Sequence, residues 1–148
     1  MNKAEVHEVA LSIVNEKIAN AHRLIEEAQE AANNDTKSSA GDKHETSRAM
    51  AMLEKEKAAN QLANANKLLQ FLDKLNPMIK SKTIGIGSLV KVNKGWFYVS
   101  IGIGRIEVSD SQVFCISIAS PIGQVLHGKQ VFESISLNHK TYEIEELV

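Results

Sequence analysis

The first half of the chain, from Ala4 to about Leu75, contains no proline and a single glycine, Gly41. Ala, Leu, Glu, Lys and Gln make up most of this stretch, and these residues have favourable helix propensities. A stretch of this length without a helix-breaking residue favours long helices. The sequence of 148 residues is therefore expected to begin with a helical half.

Apolar residues recur in this half at steps of three and four, which is the spacing of the contact seam in a coiled coil. They are Leu11, Val14, Ile18, Ala21, Ile25, Ala28 and Ala32 in the first arm, and Ala51, Ala58, Leu62, Ala65, Leu69 and Leu72 in the second. Lys55 is the polar exception. The polar residues from Asn33 to Gly41 favour helix ends. We predict an antiparallel hairpin about 45 Å long, with arms of about 30 residues and a second helix that starts between Asp42 and Ser47.

A different pattern begins after Asn76 and Pro77, because the residue before a proline is disfavoured in a helix. Runs of β-branched and aromatic residues predict six strands, in residues 88–92, 96–101, 105–108, 113–118, 131–137 and 141–145. A short helix is predicted with Ser120 as its N-cap, Pro121 at its first position and Gly128 after its end. The predicted fold class is α+β. An N-terminal antiparallel coiled-coil hairpin occupies residues 1–77, and a small antiparallel β domain with one short helix occupies residues 78–148.

Charge and cysteine content exclude several classes of protein. The chain has 17 basic and 18 acidic side chains, so no strong overall field attracts nucleic acid or an anionic membrane. The single Cys115 cannot form an internal disulfide, and its apolar run predicts a buried, inert thiol. Charges interrupt the apolar residues at the N-terminus, which argues against a signal peptide or a membrane span. We expect a cytoplasmic protein without a membrane partner.

Few residues carry a recognisable chemistry. The repeated Ile-Gly-Ile-Gly at residues 84–87 and 101–104 lacks the remaining residues of a phosphate-binding loop and predicts turns. The histidines show no paired ligand spacing, so no metal is expected in the isolated protein; they are His7, His22, His44, His127 and His139.

Two carboxylates beside the break between the arms, Asp42 and Glu45, are the remaining candidates. Three residues apart at a helix start, they share one face and can both reach a hard cation such as Mg²⁺. The same spacing fits a capping box, worth about 1 kcal/mol, in which Asp42 is the N-cap. On spacing alone the cap is favoured.

A specific resemblance to a known family lies in the C-terminal half, over roughly residues 84–147. The chain carries there Ser-Pro-Ile-Gly at 120–123, then Leu126, Gly128-Lys129, and a last strand with Tyr142-Glu143-Ile144. This pattern is similar to that of the bacterial Gre transcript-cleavage factors, in which a helical hairpin also precedes the β domain. The resemblance implies an FKBP-like β domain that docks on RNA polymerase at the mouth of its secondary channel. The polymerase-docking residues would be Ser120, Pro121, Ile122, Gly123, Gly128 and Lys129.

The tip of the hairpin also resembles the family, which has Gly-Asp, two further residues and Glu, here Gly41-Asp42-Lys43-His44-Glu45. The resemblance implies that Asp42 and Glu45 assist catalysis in trans, by helping to hold a Mg²⁺ ion shared with the polymerase active site. That ion would activate the water that cleaves backtracked RNA. The chain would then be a monomer with no cofactor and no enzyme activity of its own. It would stimulate the nuclease activity of RNA polymerase and contact nascent RNA only indirectly.

Departures from the family pattern leave alternatives open. A shift of seven residues puts Asp35 in place of the family's Asp, but Ser38 then replaces its Glu. The family's Asn-Ala-Glu-Tyr is here Thr46-Ser47-Arg48-Ala49, and Lys37, Lys43 and Arg48 would repel a cation. One alternative is therefore a non-cleaving regulator that enters the same channel. Another is a coiled-coil protein that dimerises through opened hairpins, whereas the few aromatic residues disfavour a prolyl isomerase.

Overall fold

Two long helices account for the first half of the chain. In a computed structural model, the described residues are 1–35, 42–93 and 95–148, without the side chains of residues 35 and 42–44. Helix α1 spans Lys3–Asp35 and helix α2 spans Asp42–Asp73. Asn2 caps α1, because its side-chain oxygen accepts hydrogen bonds from the backbone N–H groups of Ala4 and Glu5. The predicted helical half is confirmed, and its second helix starts within the predicted range of residues 42–47.

The two helices run antiparallel in the compact unit Ile13–Leu69. Lys55 of α2 donates a hydrogen bond of 2.6 Å from its Nζ to Oε1 of Gln29 on α1. Further along the unit, a cleft is lined by residues of both helices: Lys17, Asn20, Gln61, Asn64, Ala65 and Leu68. Along the unit, the contacting residues have lower numbers on α1 as they have higher numbers on α2. This is the arrangement of an antiparallel hairpin.

Small side chains fill the seam of this hairpin unit. Its buried apolar residues are Val14, Ala21, Ala28 and Ala32 on α1, and Ala51, Ala58 and Ala65 on α2. Most of them are seven residues apart, so they recur on one side of each helix. Alanines allow the two helix axes to approach closely. Lys55, the polar exception in the sequence pattern, is half-buried and is satisfied by its bond to Gln29.

A six-stranded sheet forms most of the second half. The strands are β1 (Leu89–Val92), β2 (Gly95–Val99), β3 (Gly104–Val108), β4 (Ser111–Ile116), β5 (Ser134–Leu137) and β6 (Lys140–Leu147). Their spatial order is β3-β4-β2-β1-β6-β5. Neighbouring strands are antiparallel except β2 and β4, which are parallel. Together with the short helix α3 (Pro121–Leu126), this sheet confirms the predicted α+β class.

The main apolar core lies between α3 and the sheet. Its buried side chains are Ile84, Val90, Val92, Val99, Leu126, Ile135 and Ile144. Phe97 packs against this core and stacks on Phe114 with a centroid separation of 5.5 Å. Full burial of an aliphatic or aromatic side chain stabilises a fold by about 1.5–3 kcal/mol. The core therefore fixes the position of α3 on the sheet.

The first turns of α1 pack against the other face of the sheet, to which Tyr98 belongs because side chains alternate along β2. His7 Nδ1 lies 2.7 Å from the Tyr98 hydroxyl, and both side chains are buried. Lys3 Nζ donates to the backbone oxygens of Ile79, at 2.6 Å, and Val148, at 3.0 Å. Burial lowers the pKa of His7 and of Lys3, and raises the pKa of Tyr98 to about 12. The first turns of α1 therefore fold together with the sheet.

Packing divides the chain into two compact units. The sheet-bearing unit consists of Met1–Ser12 and Gln70–Val148, and the hairpin unit is Ile13–Leu69. The predicted division after residue 77 follows the change from helix to strand, and it stays a prediction about separable domains. Within the described ranges, none of the helices combines the length and the apolar character that a bilayer-spanning helix needs.

Candidate functional site

The predicted catalytic pair lies at the start of α2. Asp42 is the first residue of this helix, and Glu45 is exposed in its first turn. The side chain of Asp42 lies outside the described part of the chain, as do residues 36–41 and the alternative carboxylate of Asp35. The metal-binding and capping interpretations of Asp42 and Glu45 therefore both stay predictions.

The predicted docking residues lie around α3, in a segment from Ser120 to Lys129 that we call the docking corner. Ser120 is the N-cap, with extended backbone angles of φ −67° and ψ 158°. Its Oγ accepts a hydrogen bond from the Gly123 N–H at 3.1 Å and donates one to the Ser117 carbonyl at 2.6 Å. Pro121, which has no N–H, occupies the first turn, where no intrahelical acceptor is available. The predicted N-cap role of Ser120 is confirmed.

Gly123 is buried where α3 meets the preceding turn. A Cβ atom at this position would lie 2.2 Å from the Ser117 carbonyl oxygen and 2.9 Å from the Ile118 Cα. Both neighbours are backbone atoms, so a larger residue would have to displace the helix or the turn. Gly123 therefore lets α3 pack closely against the turn that precedes it.

Backbone hydrogen bonds join the end of the docking corner to Ile84, which precedes β1. Gly128 has φ +81°, the left-handed conformation that commonly follows a helix. Its N–H donates to the Ile84 oxygen at 2.8 Å, and the Ile84 N–H donates to the Lys129 oxygen at 2.8 Å. The first Ile-Gly-Ile-Gly copy thus supplies backbone partners to the docking corner.

The docking corner has an inner and an outer side. The inner side consists of Ile122, Gly123, Val125 and Leu126, which are buried or pack against the core. The outer side exposes Pro121, Gln124, His127 and Gly128, with Lys129 half-buried beside them. Ser120 and Gly123 therefore shape the docking corner, whereas Pro121 and Lys129 are accessible to a partner.

No group of three or more His, Cys, Asp or Glu side chains is arranged to hold a metal ion, as far as the described residues extend. Cys115 is buried in β4, and burial raises the pKa of its thiol to about 12. The thiol is therefore protonated and unreactive at neutral pH, as its sequence context predicts.

Known proteins offer a structural similarity but no sequence match. No protein-family model matches the chain, and no curated protein matches it. A solved structure, that of the transcription factor Gfh1, is similar over 94% of this chain and 93% of that chain. The two have 17% sequence identity and a TM-score of 0.39. These comparisons do not assign the chain to a family.

Exposed apolar side chains mark two places that sequence analysis did not single out. Phe132, which the sequence places in a strand, lies before β5 and is 82% exposed. On α2, Met50, Met52 and Leu53 are exposed together. The α2 residues could have been found, because they lie off the seam spacing that contains Ala51. A lone phenylalanine in a β-type run gives no such signal.

Proposed function

We propose that this chain is a transcription elongation factor that binds RNA polymerase at its secondary channel. The sheet-bearing unit would dock on the polymerase, and the hairpin would enter the channel. The observation that carries the proposal is the docking corner, since its Ser-Pro-Ile-Gly and Gly-Lys residues are those of the Gre resemblance. In the docking corner, Ser120 caps α3, Gly123 allows close packing and Gly128 adopts a left-handed conformation. Pro121 is exposed.

The hairpin supports the same proposal through its length and its seam. Helices α1 and α2 contain 33 and 32 residues, which corresponds to about 50 Å each at 1.5 Å per residue. The seam is filled by the alanines of the same chain, so the hairpin buries its own apolar face without a second copy. A monomer that presents a long hairpin is therefore favoured over two chains paired through opened hairpins.

The chemistry of cleavage would be shared between the two partners. Asp42 and Glu45, in the first turn of α2, would supply carboxylate oxygens to a Mg²⁺ ion that the polymerase active site also holds. Bound there, this ion would activate water for cleavage of backtracked RNA. The chain would thus contribute two ligands and their position, would have no enzyme activity alone, and would meet nascent RNA only at the tip.

Two measurements on the full chain test the proposal: its affinity for a bacterial core RNA polymerase, and the RNA length in stalled, backtracked elongation complexes. Wild type should bind and shorten the RNA. The double variant Asp42→Ala, Glu45→Ala should lower the cleavage rate by at least about tenfold, because it removes both proposed ligands. Its affinity should change less than about twofold, because docking lies elsewhere. Glu56→Ala, which removes another exposed α2 carboxylate, is the matched control.

The outcomes separate two functions. Binding without cleavage at any Mg²⁺ concentration would make the chain a non-cleaving channel regulator. The exposed Arg48, one turn beyond Glu45, favours this second candidate because its charge opposes a cation. Absence of binding to the polymerase would refute both functions.

A further inference from the structure

Phe132 combines two features that folding alone does not explain. Its side chain is 82% exposed, more than any other large apolar side chain in the described part of the chain. Its backbone φ is +73°, in the left-handed region that bulky residues rarely adopt. Glycine adopts this region without steric cost. The protein therefore holds an aromatic ring in water at a position that suits glycine.

Hydrogen bonds fix the backbone around Phe132. Its N–H donates to the Ile144 oxygen at 2.8 Å, and the Ile144 N–H donates to the Glu133 oxygen at 3.0 Å. The Glu133 N–H also donates to the Gln130 oxygen at 3.2 Å. The left-handed conformation is thus part of the folded sheet unit, while the exposed ring adds little to its core. A bulky residue kept in such a conformation points to a functional constraint.

Phe132 continues the docking corner. It follows Lys129 by three residues, so the two Cα atoms lie within about 11 Å of each other. Ile86, which is 52% exposed, follows Ile84 by two residues, and Ile84 is hydrogen-bonded to Gly128 and Lys129. Two exposed apolar side chains therefore border the docking corner.

Three acidic residues lie next to Phe132 in the chain or on the strand that is hydrogen-bonded to it. Glu133 follows it in the chain, and Glu143 and Glu145 lie on β6, on either side of the residue that pairs with Phe132. All three carboxylates are on exposed residues, and Lys91 offsets one of them through a 3.8 Å ion pair with Glu145. The charged residues next to Phe132 in the chain and on the paired strand are therefore mainly acidic, with Lys129 as a nearby cation.

We infer that Phe132 is an anchor of the docking surface and enters an apolar recess on RNA polymerase that is bordered by Lys or Arg side chains. The inference rests on the proposed function, which supplies the partner. Buried aromatic anchors carry much of the binding energy of protein interfaces, and charges of opposite sign at the rim speed association. A second copy of this chain fits less well, because a symmetric contact through Phe132 would bring like carboxylates together.

The variant Phe132→Gly separates binding from folding. Its affinity for core RNA polymerase should fall by at least about tenfold. Its unfolding temperature should equal or exceed that of wild type, because glycine suits the left-handed backbone. Phe132→Asn should behave alike, since Asn also tolerates this conformation, and Phe132→Trp should keep the affinity within about threefold. Met78→Ala removes an exposed apolar side chain outside the docking corner and is the matched control.

A separate variant tests the role of the acidic residues next to Phe132. Glu143→Gln should slow association with the polymerase by about two- to fivefold, whereas Glu107→Gln, an exposed carboxylate on β3, should leave it unchanged. An unchanged association rate for Glu143→Gln would overturn the assignment of a basic recess.

Three results would overturn the anchor role. If wild type binds the polymerase and Phe132→Gly binds equally well, the inference is wrong and the proposed function stands. If wild type does not bind, both fail. If light scattering shows that wild type self-associates and that Phe132→Gly abolishes this, Phe132 pairs copies of the chain and the polymerase assignment is wrong.

Discussion

His7 lies buried near the start of α1, with its Nδ1 at 2.7 Å from the Tyr98 hydroxyl. Burial lowers the pKa of His7 below 6.5, and the carboxylates of Glu8 and Asp73 offset this only in part. As the pH falls through 6.5, the unfolded chain takes up a proton that the folded chain resists. The contribution of neutral His7 to the free energy of unfolding is therefore present above that pH and lost below it.

We therefore expect the free energy of unfolding to decrease on acidification, and His7→Gln to remove part of the decrease. For one titrating group the slope is at most about 1.4 kcal/mol per pH unit. Urea denaturation at pH values from about 7.5 down to about 5.5 measures it. His22→Gln replaces an exposed histidine and should keep the wild-type slope. Equal slopes for wild type and His7→Gln would show that His7 is not the group responsible.

Residues with local partners could be predicted from the sequence, and residues with distant partners could not. Ser120 and Gly128 follow from capping chemistry, since a hydroxyl and a left-handed glycine act within one turn. The bond between His7 and Tyr98 joins residues 91 positions apart, and no local pattern indicates it. Phe132 was missed because backbone φ at a non-glycine residue leaves no trace in an apolar run.

At the scale of elements, the period of the apolar residues predicted both arms and their seam. Buried Ala21, Ala28, Ala58 and Ala65 occupy the predicted spacing. The six strands were predicted from β-branched runs, but the parallel pairing of β2 with β4 was not, because it depends on which strands meet after a crossover. The fifth run was too long at its start, since residues 131–133 lie outside β5.

The burial of the seam predicts that substitutions at two adjacent alanines of α2 differ in their effect on stability. Ala58 is 2% exposed and Ala59 is exposed. Ala58→Asp would bury a carboxylate without a partner and should lower the free energy of unfolding of the hairpin by roughly 2 kcal/mol or more. Ala59→Asp should cost no more than about 0.7 kcal/mol, the difference in helix propensity. Circular dichroism during thermal unfolding measures both, and equal losses would contradict the assignment of Ala58 to the seam.

At the scale of the whole molecule, secondary structure and packing divide the chain at different places. The change from helix to strand falls near residue 77, whereas the sheet-bearing unit includes Met1–Ser12 and begins its second segment at Gln70. Val6, Ala10 and Leu72, at the ends of the two helices, are buried in that unit. The sequence could not show this. The apolar face of a helix has the same residue spacing whether it packs against another helix or against a sheet.

This division predicts which shortened chains fold. A chain that keeps residues 1–12 and 70–148, joined by a flexible Gly/Ser linker of about eight residues with a span of about 15 Å, retains every residue of the sheet-bearing unit and should unfold cooperatively. A chain of residues 78–148 loses Val6 and Leu72, and with them burial worth about 3–6 kcal/mol. It also loses Lys3 and His7, which leaves the Tyr98 hydroxyl and two backbone oxygens without these partners. Urea denaturation should therefore show a cooperative transition for the first chain and a weak or absent one for the second. Equal stability of the two chains would show that the sheet folds without the helix ends and that the division near residue 77 is the true domain boundary.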